Sequence, residues 1–135
     1  MNAYLCLAFS AGTAVCAAAQ EAPAAPSTHL DMAEALLDFL SRTELCLRSC
    51  QDEASVSTAI PQLQQLAQEA RSLADIQKKL PEPTVQDFMA LEKKMELFAS
   101  ICTSIQKHIT RLAESGLLTD ELRQILEVNP NLPAR

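Results

Sequence analysis

Five cysteines and two histidines are the residues of this chain best equipped for chemistry. Cys46 and Cys50 stand four apart and so share one side of a helix, a turn from each other. His108 is the one imidazole in the carboxyl-terminal half. Two thiolates and an imidazole form a donor set for Zn(II) or Cu(I). Cys46, Cys50 and His108 are therefore the candidate metal ligands. The competing expectation is simpler. A cysteine on an apolar stripe behaves as a small core hydrophobe, which would account for Cys50 with Cys46 beside it, while His108 would flank its own stripe and face water.

These residues meet only if helices bring them together. Thr84 to Ser115 is the stretch that organises the rest. Phe88, Leu91, Met95, Phe98, Cys102, Ile105, Ile109 and Leu112 alternate spacings of three and four without a break, which lays one apolar stripe along a helix. Glu92, Lys93, Lys94, Glu96, Lys107 and Arg111 fall between them as the polar side. Thr84 and Asp87 have the form of a capping box at its start, and Gly116 is the expected left-handed terminator.

Two helices precede it. The first starts at Thr28, where Thr28 and Asp31 repeat the box, and ends near Cys50. Its stripe is Ala33, Leu36, Leu40, Thr43, Leu47 and Cys50, and the acid-first pairs Asp38–Arg42 and Glu44–Arg48 suit a solvated outer face. The second has Ser55, Ser57 and Thr58 as candidate caps. Pro61 fits within its first turn, where the missing N–H has no helical partner, or else bends it. The stripe continues through Leu63, Leu66, Ala70, Leu73 and Leu80 until Pro81-Glu82-Pro83 stops the helix. A short fourth helix, capped by Thr119, carries Leu122, Ile125 and Leu126 as one patch. The predicted fold is all-α: an elongated antiparallel three-helix bundle, up-down-up, with a short C-terminal fourth helix.

The ends read differently. Residues 1–19 look like a signal peptide: Tyr4 to Ala19 is apolar or small and uncharged, and Ala17-Ala18-Ala19 supplies the small residues of an A-x-A cleavage site. No Lys or Arg precedes the run, and it is short for a membrane span, which needs about 20 residues. Residues 20–27 form an Ala/Pro-rich tether, 28–128 the bundle domain and 129–135 a tail. The chain is thus expected to be exported, to the periplasm or the extracellular space, and to leave the membrane once the signal is cleaved.

Export places Cys46, Cys50 and Cys102 where disulfides persist. With turns centred between Asp52 and Glu53 and at Glu82, Cys46 comes level with about Ile105 and Cys50 with about Ile109, next to His108. Cys102 is then about 4.5 Å along the axis from the level of Cys46 and about 10 Å from that of Cys50. A disulfide needs Cα atoms within about 7 Å, so Cys46–Cys102 is the predicted pair, with three unpaired thiols as the next outcome.

Other functions find little support in the residues. A net charge of −6 argues against nucleic acid and anionic membrane as partners, since both require a basic face. The carboxylates sit beside lysines and arginines on solvated faces, and Ser, His and Asp form no recognised arrangement, so no enzyme is expected. There is no C-x-x-C-H for covalent haem. Met32, Met89 and Met95 are at helical spacings where methionine is core filler rather than a haem ligand, so no cofactor is expected. Asp52-Glu53-Ala54-Ser55 at the first turn, Pro61, and Pro81-Glu82-Pro83 at the second make the stretch from Leu30 to Leu112 resemble small, uncharacterised exported helical-hairpin proteins of bacteria, and that resemblance implies no activity. The expected role is a small exported scaffold or protein-interaction module. It would meet a protein partner, or itself, through the third helix, and the alternative is the thiolate–imidazole metal binder.

Overall fold

A computed structural model describes residues 25–127. The expected signal peptide, the first part of the tether and the tail lie outside the described residues. Within them the fold is all-helical, with four helices: α1 His29–Ser49, α2 Glu53–Gln77, α3 Val85–Glu114 and α4 Asp120–Glu127. None of these is long and apolar enough to cross a membrane.

The helix starts follow from side chains that occupy orphan backbone donors. Thr28 caps α1 and Thr84 caps α3, each closing a box with an aspartate three residues on, Asp31 and Asp87. The start of α2 departs from expectation. Asp52 is its N-cap, and Ser55, itself a candidate cap, is instead the residue that reaches back to complete the box. Pro61 consequently lies inside α2 rather than in its first turn. The end of α3 is a complete Schellman motif: Gly116 has a φ of +73°, Gly116 N donates to Ala113 O and Leu117 N to Leu112 O.

α1 is the central element. It packs on α2 and on α3, while α2 and α3 make no close backbone approach to each other, and α4 packs on α2. The bonds from α3 to α1 advance together along both helices: Lys94 to Glu34, Ser104 to Glu44, and Arg111 to the Leu47 carbonyl. α2 returns along the other flank, where Arg42 pairs with Glu69 and Cys46 meets Ala59 and Gln62. His29 Nε2 lies 2.7 Å from Pro81 O, which fastens the first turn of α1 to the link between α2 and α3.

The core is one cluster. Phe39, Leu40 and Leu47 of α1 and its C-cap Cys50 meet Val56, Leu63 and Ala70 of α2, Ile105 and Leu112 of α3, and Leu122 of α4. At about 25 cal/mol per Å² of apolar surface removed from water, such side chains supply the main drive to fold. α4 follows directly on the end of α3, and Gln64 Nε2 meets its Glu121 at 3.3 Å. Eight residues span only about 12 Å, so the cover that α4 supplies ends near the middle of α2, beside Gln68 and Arg71. The stripe of α3 accordingly divides. Ile105 and Leu112 are fully buried, Phe98, Cys102 and Ile109 are partly buried against the core, and Phe88 and Met95 are exposed.

Candidate interaction surface and the buried Glu44 node

The sequence-predicted metal ligands are not gathered. Cys46 Sγ is directed at α2, donating to Ala59 O at 3.8 Å and to Gln62 Oε1 at 3.7 Å. Cys50 Sγ donates to Cys46 O at 3.3 Å. His108 belongs to the α1–α3 interface, its Nε2 lying 3.2 Å from Glu44 Oε1. Among the described residues no group of three or more His, Cys, Asp or Glu side chains is placed to hold a metal. The levels counted along the helices come close, since Glu44 faces Ser104 and His108. The directions differ: α1 presents Cys46 to α2 and Glu44 to His108.

The same geometry corrects the disulfide. Cys46, Cys50 and Cys102 are free thiols, and no two of them lie at disulfide distance. Cys46 faces α2, whereas Cys102 is on α3, across the central helix. Burial raises all three thiols above their ordinary value; the Cys46 thiol is pushed up to about 11, with Cys50 adding to the effect. Beside Cys50 the positive charge of Arg111 pulls partly in the other direction. A protonated thiol is neither a nucleophile nor a ready metal ligand.

The polar centre of the interface is Glu44, which sequence reasoning placed on the solvated face with Arg48. It is 7% exposed. Its Oε1 accepts from Arg48 Nη2 at 2.7 Å and from Ser104 Oγ at 2.8 Å, with His108 Nε2 alongside. Burial alone would raise its carboxyl; the hydrogen bonds from Ser104, Arg48 and His108 outweigh that and hold it below its ordinary value. A serine, a histidine and a carboxylate thus meet, but their wiring is not that of a hydrolase. Ser104 donates to Glu44 and not to His108, so no base activates its hydroxyl. His108 Nδ1 is buried without a hydrogen-bond partner among the described residues. The signal that could have located the node is the polar pair Ser104 and His108, one turn apart on a helix that must bury that side.

The largest departure from an ordinary soluble surface lies elsewhere. Seven large hydrophobic side chains are exposed among the described residues, and five of them occupy the first 13 residues of α3: Val85 75%, Phe88 59%, Met89 66%, Met95 62% and Leu97 54%. A sixth, Leu30 at 39%, starts α1 at the same end. Phe88 and Met95 are two turns apart and share a flank. Lys94, expected on the outer face, is instead turned toward α1, 3.2 Å from Glu34. A stripe of 3–4 spacing drifts about 20° per heptad around a straight helix, so with Ile105 and Leu112 facing the core Phe88 and Met95 turn off it and are exposed, and α2 does not approach α3 to cover them. Clustered exposed apolar side chains on a soluble domain mark interaction sites more often than scattered ones do. No protein-family model, curated protein or solved structure matches the chain.

Proposed function

We propose that the protein is an exported, non-enzymatic helical module that binds a protein partner, or a second copy of itself, through the amino-terminal half of α3. The observation that carries this reading is the concentration of exposed apolar side chains between Val85 and Leu97. Burying one such side chain is worth about 1.5–3 kcal/mol, so two or three anchors on one flank give a partner helix a useful share of its affinity. The reading takes the three long helices as an elongated up-down-up bundle. The matched advance of the α1–α3 bonds and the short α1–α2 turn support it. Export rests on the uncharged run from Tyr4 and the Ala17-Ala18-Ala19 pattern.

Site-specific photocrosslinking tests it. A photoreactive residue at Met89 is expected to give a discrete protein adduct in the cell that makes the protein, and one at the exposed Ser72 of α2 is not. The absence of an adduct from Met89, or equal labelling from both positions, would refute the surface.

A further inference from the structure

From the charge around this surface we infer that its partner is a basic amphipathic helix. The inference rests on the reading of α3 as a binding surface and adds the chemistry of what binds there. Three contacts bring one end of the molecule together: His29 to Pro81, Glu34 to Lys94, and Arg42 to Glu69. That end consists of residues 29–38, Arg42, 69–82 and 85–97, and it holds nine carboxylates against six lysines and arginines, a net −3. The other described residues, a clear majority of them, contribute the remaining −3. The negative charge is therefore denser at the end that carries the apolar surface.

The local arrangement agrees with that balance. Lys94 and Lys78 are engaged by Glu34 and Asp75. Glu92 follows Phe88 by one turn and Glu96 adjoins Met95, and neither forms an ion pair with a described residue; Lys93 is an unpaired cation on the same stretch. A helix laid along this flank would set apolar residues on Phe88 and Met95 and its own lysines or arginines beside Glu92 and Glu96. Opposed potentials of this kind favour one partner over others and speed encounter. Met89 and Met95 suit the role, because an unbranched thioether adapts to irregular apolar shapes. A second copy of this chain matches less well. An antiparallel pairing that set Phe88 on Met95 would bring Glu92 of one copy close to Glu92 of the other.

Two synthetic peptides of about 18 residues distinguish the outcomes: an amphipathic Leu/Lys helix and its Leu/Glu counterpart with the same apolar pattern. Titration calorimetry of the full protein should show the Leu/Lys peptide binding at least tenfold more tightly. The double variant Phe88→Ser/Met95→Ser should lose that binding, Glu92→Lys/Glu96→Lys should reverse the preference, and Leu45→Ser, at the exposed leucine remote from the patch, should change nothing. Circular dichroism of each variant establishes that it is folded. Equal affinities for both peptides, dependent on Phe88 and Met95, would overturn the basic partner and leave the surface standing. Binding that survives Phe88→Ser/Met95→Ser, or no binding of either peptide to a monomer, would overturn both. A dimer in light scattering that Phe88→Ser/Met95→Ser dissolves would place a second copy on the face and overturn the basic partner.

Discussion

Ser104 Oγ donates a 2.8 Å hydrogen bond to Glu44 Oε1 across the α1–α3 interface, and that same oxygen also meets Arg48 and His108. One carboxylate therefore joins two helices through residues 60 apart in sequence. Removing it by Glu44→Ala should cost about 1.5–3 kcal/mol, since hydrogen bonds to a charged group are lost and its buried partners are stranded. Ser104→Ala should cost about 1 kcal/mol. The carboxyl is held below its ordinary value of 4.5. Its contribution is thus complete above that pH and is lost as pH falls through the lower folded value. Asp31, Asp52 and Asp87 are also lowered, by hydrogen bonds at the helix caps, so Glu44→Gln should reduce the acid loss of stability without abolishing it. Urea unfolding between pH 3 and pH 7, about the range in which carboxylates titrate, measures both effects.

The two halves of α3 should differ in energetic weight. Ile105 is fully buried and Phe88 is 59% exposed. Ile105→Ala should cost about 2–5 kcal/mol, and Phe88→Ala less than about 0.5. Equal losses in urea would mean that the whole stripe is core and that no surface is left for a partner.

The thiols give a chemical check on the orientation of α1. Cys46 and Cys50 are buried and Cys102 is half-buried. In native protein at neutral pH, maleimide should modify Cys102 first and Cys46 and Cys50 slowly; in urea the three should react alike. Peptide mapping follows each site. A non-reduced Cys46–Cys102 peptide would show that α1 presents Cys46 to α3 after all.

Gly116 isolates a backbone effect. Its φ is +73°, and a Cβ added there would meet no atom within 4 Å. Gly116→Ala should therefore cost about 1–2 kcal/mol from conformational strain alone, read as a lower midpoint in thermal unfolding, while Gly116→Asn should recover part of it because asparagine tolerates the left-handed region better.

Much of the backbone was legible because local signals settle it. Thr28 with Asp31, Thr84 with Asp87, and Gly116 act within a few residues, and the helices begin and end where they direct. Asp52 was missed because Ser55 is equally good cap chemistry, and only the backbone decides which of the two accepts and which reaches back. The site was less legible, since it depends on azimuth. A stripe with 3–4 spacing gives the direction of a buried face to within tens of degrees. Drift of the stripe by about 20° per heptad sets Phe88 and Met95 off the face that buries Ile105 and Leu112. Likewise Glu44, four residues before Arg48, has the pattern of a solvated ion pair, and nothing local in sequence shows that Ser104 and His108 arrive opposite it.

The central position of α1 also sets an order of events in time. Its contacts with α2 close over 13 to 27 residues, at Cys46–Ala59 and Arg42–Glu69, whereas those with α3 close over 60 to 64. From 16 to 64 residues is two doublings, an added closure cost of about 1.2 kcal/mol. The hairpin of α1 and α2 should thus form the folding nucleus, with α3 docking after the main barrier. In stopped-flow experiments Val56→Ala should chiefly slow folding and Ile105→Val chiefly speed unfolding. The helix that carries the exposed surface would then be the last long helix to settle and the first to leave.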